Sequence, residues 1–267
     1  MFPAARSYAL TLFAILVLPL AGDLETQLAN GDFEGAEETL EELSSRWEET
    51  ATSPEDQIEW ARVLMALGTI ERKLVKSSEA EAHLRTSLAI FERHSPEETT
   101  ETREALALTL QDQGKQQEAE QLLRENLEAG NLRTMDHLGL LLLQQARYAE
   151  AGGLFQSALE ATPDNAPVEH ARRHQNLGRY WHTLGSHARA LGHFEKALEH
   201  LEATADVADL KLALTSQRAL AQLRLHEIDS ARSGFEEAAS MARRIHQNQP
   251  IAALPHLENL GILALAT

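Results

Sequence analysis

Apolar residues recur along this chain at the spacing of a helical face, and the whole pattern returns every 32 to 42 residues. Each copy contains a large residue followed by a small one, and in the first five copies an alanine lies twelve positions after the small residue. The pairs are Leu67-Gly68, Leu106-Ala107, Leu138-Gly139, Leu177-Gly178, Arg218-Ala219 and Leu260-Gly261, and the alanines are Ala80, Ala119, Ala151, Ala190 and Ala231. A period of this length indicates a repeat architecture instead of one central core.

Each copy predicts a hairpin of two antiparallel helices. Phe155 and Ala158 follow the alanine of their copy by four and seven positions, which makes one helical face apolar. The same spacing holds for Phe194 and Ala197 and for Phe235 and Ala238. We expect the Gly or Ala of each pair to lie where the two helices cross, because a small side chain lets the partner backbone approach. Stacking of hairpins then buries the apolar faces, at roughly 25 cal/mol per Å².

Three dipeptides mark expected hairpin boundaries. They are Ser53-Pro54, Ser95-Pro96 and Thr162-Pro163. A Ser or Thr hydroxyl can cap the start of a helix, and proline suits the first helical turn. We therefore expect each dipeptide to begin a new hairpin.

These residues resemble the tetratricopeptide repeat family. The copy nearest to the family pattern consists of Leu177-Gly178, Trp181, Gly185, Ala190, Phe194 and Ala197. The resemblance covers residues 23–267, and it implies an all-α, right-handed α-solenoid of about six stacked antiparallel hairpins plus a terminal half repeat. The steps of 39 to 42 residues are similar to the longer-helix variant of kinesin light chains. Departures from the family are Gln116 in place of an aromatic residue and Arg218 in place of leucine.

Residues 1–22 differ from the rest of the chain. Arg6 precedes an uncharged, mostly apolar run from Ala9 to Gly22, after which the chain becomes acidic. The run is shorter than the roughly 18 residues needed for a bilayer span, so it predicts a signal peptide or apolar leader and an exported, periplasmic or extracellular protein. We expect no stable membrane span once it is processed. The alternatives are a tether formed by an uncleaved leader and an apolar helix that caps the first hairpin.

Charge and composition exclude several classes of function. Asp and Glu number 41 against 24 Lys and Arg, and the net charge of -17 disfavours nucleic acid as a partner. The chain has no cysteine, which excludes disulfides and thiolate metal sites. It also has no Gly-rich phosphate loop and no Gly-x-Ser-x-Gly elbow. We therefore predict no enzymatic activity and no cofactor.

Two groups of polar residues could suggest chemistry but have simpler interpretations. The pairs Glu37-Glu38 and Glu41-Glu42 are expected to be solvated carboxylates on the outer side of a helix. His170 and His174 have the i, i+4 spacing of metal ligands, but Arg172 and Arg173 lie between them and His187, His193 and His200 are scattered in the next helix. We predict no metal site.

The family resemblance implies a concave groove formed by the first helices of successive hairpins, in which extended peptides bind. The candidate groove residues are Arg133, Leu140, Leu143, Arg172, Gln175, Asn176, Arg179, His182, Leu220 and Arg224, with Asp136, Gln144, Ser216, Leu223 and Asn259 at neighbouring groove positions. This set predicts a protein or peptide partner with acidic residues or a free C-terminal carboxylate and one or two apolar anchors. The alternative is that each arginine belongs to the solvated stripe of a long helix.

The sequence stops at Thr267, within the first helix of a seventh copy. This half repeat could cap the array, pair with another chain as a homo-oligomer, or belong to a longer protein. Three classes of function remain: a peptide-binding scaffold, a self-associating structural array, and the docking or sensor part of a longer multidomain protein. A concentration-dependent mass would distinguish the second class from the first.

Overall fold

The computed structural model describes residues 18–128, 131, 133–205 and 207–245 of the chain. Within these residues twelve α-helices follow one another and no β-strand occurs. The helices are α1 (Leu18–Asn30), α2 (Phe33–Thr50), α3 (Pro54–Lys73), α4 (Ser77–His94), α5 (Thr99–Asp112), α6 (Gln116–Glu128), α7 (Thr134–Gln144), α8 (Tyr148–Glu160), α9 (Pro167–Thr183), α10 (His187–His200), α11 (Ala208–Arg224) and α12 (Ile228–Ile245). The predicted all-α helical repeat solenoid is confirmed.

The helices belong to two compact units, Met1–Thr134 and Met135–Thr267. In the first unit, α1 to α6 form three hairpins, and each helix packs against the next. In the second unit, α7 to α12 form three more, with the hairpins α9/α10 and α11/α12 packed through α10 and α11. Each unit therefore contains three of the described hairpins.

Small residues lie at the helix crossings, as predicted. A Cβ atom added to Gly178 of α9 would lie 2.4 Å from Cε1 of Phe194 on α10, and one on Gly139 would lie 2.6 Å from Cε1 of Phe155. In the α11/α12 hairpin the glycine that allows the close approach lies on the second helix instead of the first. There, a Cβ atom on Gly234 would lie 2.8 Å from Cβ of Ala219.

The two units differ at one position on the second helix of their hairpins, seven residues after the alanine that recurs in the sequence pattern. In the second unit this position is a buried alanine, namely Ala158, Ala197 or Ala238. In the first unit, α4 and α6 carry polar residues there: Ser87 Oγ donates to the Ala61 carbonyl at 2.7 Å, and Asn126 Nδ2 donates to the Thr100 carbonyl at 2.7 Å. These hydrogen bonds satisfy Ser87 Oγ and Asn126 Nδ2 and tie each second helix to the first helix of its own hairpin.

The three predicted boundaries lie between helices, but only one dipeptide starts a helix as expected. Ser53 forms a capping box with Asp56, and Pro54 is the first residue of α3. Ser95 and Pro96 instead lead into a short 3-10 turn, Pro96–Glu98, before α5. Thr162 donates to the Ala158 carbonyl and stays with α8, so the prediction for Pro163 is wrong and α9 begins at Pro167.

The six hairpin turns between described helices each contain one residue in the left-handed backbone conformation. The residues with positive φ at these turns are Gly31, Val75, Gly114, Ala146, Gly185 and His226. At Gly185, for example, the amide donates to the His182 carbonyl at 3.0 Å, and the Ser186 amide donates to the Trp181 carbonyl at 2.9 Å. The same pair of hydrogen bonds closes the other five turns, so each first helix ends in a Schellman motif.

Replacing Val75 by glycine is expected to stabilise the first unit by about 0.5–1 kcal/mol, because an L-residue in this conformation costs roughly 1–2 kcal/mol and glycine returns part of that as chain entropy. The Val75 side chain is 83% exposed, so little packing is lost. Urea unfolding measures the change. As the matched control, Gly114→Val introduces the same residue at an equivalent turn and should destabilise. A lower free energy of unfolding for Val75→Gly would contradict this reasoning.

Two predictions fall largely outside the described residues. Residues 1–17 of the predicted leader lie there, while α1 begins at Leu18 and therefore contains residues 18–22. The predicted seventh half repeat, with Leu260-Gly261 and Asn259, also lies outside. None of the described helices has the length and apolar character needed to cross a bilayer.

Candidate functional site

Most of the predicted groove residues lie in the second unit. Arg172, Gln175, Asn176, Arg179 and His182 lie on α9; Leu220 and Arg224 lie on α11; Leu140 and Leu143 lie half-buried on α7. Arg133 belongs to the first unit, where its positive charge counteracts the rise in the pKa of Glu101 that burial causes.

The structure joins the predicted residues of α9 to those of α11. Gln175 Nε2 donates to Oε1 of Gln217 at 3.0 Å, which connects the two helices directly. Burial lowers the pKa of His182, and the charges of His187 and Arg224 lower it further, so His182 lies close to Arg224. The α9–α11 face is defined here as Arg172, Gln175, Asn176, Arg179, His182, Leu220 and Arg224.

Three arginines of the α9–α11 face carry no ion pair within the described part of the chain. They are Arg172, Arg179 and Arg224. By contrast, Arg218 pairs with Glu237 at 3.1 Å, and in the first unit Arg72 pairs with Asp112 at 3.1 Å. Arg172, Arg179 and Arg224 are exposed, so an anionic ligand can reach their guanidinium groups.

Asn176 is the second unusual polar group on this face. Its side chain is 7% exposed, and its amide makes no hydrogen bond with any described residue. Neither polar atom of the amide is fully enclosed by the protein, so a ligand can reach both. The amide can both donate to and accept from an extended backbone laid across α9.

Three neighbouring positions do not contribute to the face as predicted. The Asp136 side chain is 15% exposed and pairs with the buried Arg173, so it is neutralised inside the protein. Ser216 is buried, and Leu223 packs against a core cluster that contains Phe235. Leu220 packs partly against the same cluster. The sequence pattern places these residues on the correct helices, but only the structure shows which side chains are already paired or packed inside the protein.

One carboxylate prediction is also wrong. Glu37 is buried with 6% exposure and accepts a hydrogen bond from Lys76 of the next hairpin, whereas Glu38, Glu41 and Glu42 are exposed. Burial of Glu37 follows from its position beside Ala36, at the edge of the apolar stripe of α2. Only a partner 39 residues away makes that burial tolerable, and helix periodicity cannot reveal such a partner.

The histidines of α10 are not scattered, because the hairpin brings all three of them against histidines of α9, with the ring centroids of His187 and His182 4.8 Å apart. His200 stacks on His170 and His174 with ring centroids 4.9 and 5.6 Å apart, and His174 Nδ1 lies 3.0 Å from His193 Nδ1. Burial, followed by the charges of His193 and its neighbours, lowers the pKa of His174 to about 4. The sequence could have revealed these contacts, because the start of α9 pairs with the end of α10 in an antiparallel hairpin. Among the described residues, no group of three potential ligands is arranged to hold a metal ion.

Family comparison accounts for this arrangement of hairpins. The tetratricopeptide repeat family matches residues 99–129, which span α5 and α6, and residues 134–169, which span α7, α8 and the start of α9. These two segments of the chain are tetratricopeptide repeats. No curated protein matches its sequence.

Solved structures share the helical-repeat fold of this chain. BtubC (BKLC) from P. vanneervenii has a TM-score of 0.61 at 19% identity, covering 85% of this chain and 92% of its own. The apo quorum sensor NprR from B. thuringiensis scores 0.66 at 15% identity, covering 95% and 73%. NprR with its cognate peptide NprX scores 0.61 at 16%, covering 98% and 79%. A putative kinesin light chain from Podosopora anserina scores 0.55 at 17%, covering 70% and 96%.

Proposed function

We propose that this protein, with its tetratricopeptide repeats, is a non-enzymatic scaffold that binds a partner peptide or protein on the α9–α11 face. The observation that carries the proposal is the set of three exposed arginines without an ion pair among the described residues. The repeat is generally a non-enzymatic interaction scaffold. The NprR structure with its cognate peptide provides a precedent for peptide binding by this fold.

The chemistry of the face favours a partner that presents carboxylates. A guanidinium binds a carboxylate through two parallel hydrogen bonds, so Arg172, Arg179 and Arg224 suit acidic side chains or a C-terminus. Asn176 would bind the peptide backbone between them. The half-buried Leu140 and Leu143 of α7 offer apolar contacts.

Net charge also favours the second unit for such a partner. Residues 135–267 contain 12 basic and 15 acidic residues, a net charge of -3. Residues 1–134 contain 12 basic and 26 acidic residues, a net charge of -14. An acidic peptide is therefore repelled far less by the unit that contains the α9–α11 face.

Charge reversal tests the proposal. Arg172→Glu with Arg179→Glu should weaken capture of an immobilised library of acidic peptides with free C-termini by at least about a hundredfold, because each charge-assisted hydrogen bond contributes about 1.5–3 kcal/mol. The measurement is the dissociation constant of the peptide that the wild-type protein captures best.

The matched control is Arg232→Glu with Arg243→Glu, which makes the same charge change on exposed positions of α12. This control should bind like the wild type, and the circular dichroism of all variants should stay helical. Unchanged capture by the α9 variant, or equal losses in both variants, would contradict the proposal.

We also propose that the protein is exported, on the basis of the apolar run from Ala9 to Gly22. Fractionation of cells that express the chain from Met1, with mass spectrometry of its N-terminus, tests this part. Recovery of the intact N-terminus from the cytosol would contradict it.

A further inference from the structure

Histidines are concentrated in the second unit, which contains ten of the twelve in the chain. Four of them form the histidine cluster, defined as His170 and His174 of α9 and His193 and His200 of α10. The cluster lies within one hairpin and joins its two helices. Histidine is the residue type whose ordinary charge change falls between pH 5 and pH 8.

The geometry of the cluster requires that at least one ring of the His174–His193 pair be neutral. With Nδ1 of His174 and His193 only 3.0 Å apart, one nitrogen must donate and the other must accept. Two imidazolium rings cannot form this hydrogen bond, because both nitrogens of each would then donate. Stacking of His200 on His170 and His174 brings further like charges together after protonation. Protonation of both rings therefore replaces a bond between α9 and α10 with repulsion.

The surroundings of the cluster do not stabilise its charged form. Burial has the largest effect on the pKa of His174 and lowers it. The charges that act most strongly are those of His193, His200, Lys196 and His170, and all of them lower the pKa further. Burial and Lys196 likewise lower the pKa of His193.

Carboxylates nearby give little compensation. Glu199 of α10 raises the pKa of His200, but burial and His170 outweigh it. From α7, Asp136 is already paired with Arg173 of α9. His170 Nε2 lies 3.1 Å from the Pro163 carbonyl in the segment after α8. From α11, the Lys211 ammonium donates to the Thr204 carbonyl and adds a further positive charge to this part of the unit.

Helix α9 carries the histidine cluster on one side and the α9–α11 face on the other. His170 and His174 face α10, whereas Arg172, Gln175 and Arg179 recur at the spacing of a different helical side. A partner held by that side depends on α9 remaining packed against α10.

We propose that acidification separates α9 from α10 and thereby releases a partner bound to the α9–α11 face. The release step rests on the proposed function, whereas the separation of the two helices stands on the histidine cluster alone. Because the lowered pKa of His174 favours the neutral form in the folded state, its contribution to stability is complete above about pH 6.5 and is lost as the pH falls toward 4.

The first unit should respond in the opposite direction. His83 Nδ1 lies 2.8 Å from the buried Glu71 carboxylate, and this hydrogen bond raises the pKa of His83. Its contribution to stability is complete below about pH 6.5 and is lost as the pH rises through the raised pKa. Acidification from pH 7.5 to 5.5 should therefore stabilise α3 and α4 while it destabilises α9 and α10.

Hydrogen exchange of the whole chain tests the separation. With rates corrected for intrinsic exchange, the equilibrium constant for opening of α9 and α10 should increase at least about tenfold when the pH falls from 7.5 to 4.5. One pKa unit corresponds to a factor of ten. Opening of α3 and α4 should not increase. His174→Asn with His193→Gln keeps a neutral polar pair and should remove the increase. His226→Asn alters an exposed turn histidine and should keep it.

Peptide binding tests the release. The probe is the acidic peptide that binds best at pH 7.5, measured again at pH 5.5, where its carboxylates remain ionised. The wild type should lose affinity. The His174/His193 variant should keep its affinity, because it lacks the pair of imidazoles whose protonation separates α9 from α10. Affinity that rises in the wild type, or exchange of α9 and α10 that does not change, overturns the inference. Absence of binding at pH 7.5 overturns the proposed function instead, and exchange still decides the separation.

Discussion

Replacing Arg173 by methionine is expected to lower the free energy of unfolding of the second unit by about 3–5 kcal/mol, the cost of breaking a buried ion pair. The Arg173 side chain is 8% exposed and the Asp136 side chain 15% exposed, and the two join α9 to α7. Removing the guanidinium leaves a buried carboxylate without its counter-charge. Urea unfolding followed by circular dichroism measures the change.

The double variant Arg173→Met with Asp136→Leu is the matched control, because it removes both charges together. It should recover most of the lost stability, as replacement of a whole buried ion pair by apolar residues is often neutral. Equal destabilisation by the single and double variants would show that the ion pair is not the source of the effect.

Replacing Gly178 by valine is expected to destabilise the second unit by about 2–3 kcal/mol, because overpacking a tight core forces its neighbours to move. An added Cβ atom would lie 2.4 Å from Cε1 of Phe194, which is itself 2% exposed and cannot turn away. Thermal unfolding measures the loss. Gly192 of α10 is the matched control, since nothing lies within 4 Å of its added Cβ atom.

Gly192→Ala should stabilise the helix by about 0.5–1 kcal/mol. A rescue is also available, because Phe194→Leu shortens the ring that blocks position 178 and should reduce the cost of Gly178→Ala. Similar effects of alanine at positions 178 and 192 would contradict the close approach of α9 and α10 at Gly178.

The sequence predicts the fold well because each hairpin depends on local spacing. The small residues of the crossings and the buried phenylalanines recur at fixed distances, so their positions follow from the period alone. Turn residues follow less well: Gly31, Gly114 and Gly185 are visible as glycines, but Val75 and His226 adopt the same conformation without that signal.

The candidate site is only partly predictable from the sequence. Helix periodicity places Arg172 and Arg179 on one side of α9, but it cannot show whether a carboxylate from another helix neutralises them. Arg173, which directly follows Arg172, is neutralised by Asp136, and that residue lies 37 positions earlier in the sequence. Contacts between helices decide which charges remain for a ligand, and the same holds for the pairing of His174 with His193.

Titration of the wild-type protein with two versions of one peptide tests the central claim most directly. The first version is the acidic peptide that binds best; the second has its Asp and Glu side chains and its C-terminus converted to amides. Binding by Arg172, Arg179 and Arg224 predicts that the amide version binds at least about a hundredfold more weakly in a fluorescence anisotropy titration at pH 7.5. Equal affinity for the two peptides would contradict a role for these arginines in binding carboxylates.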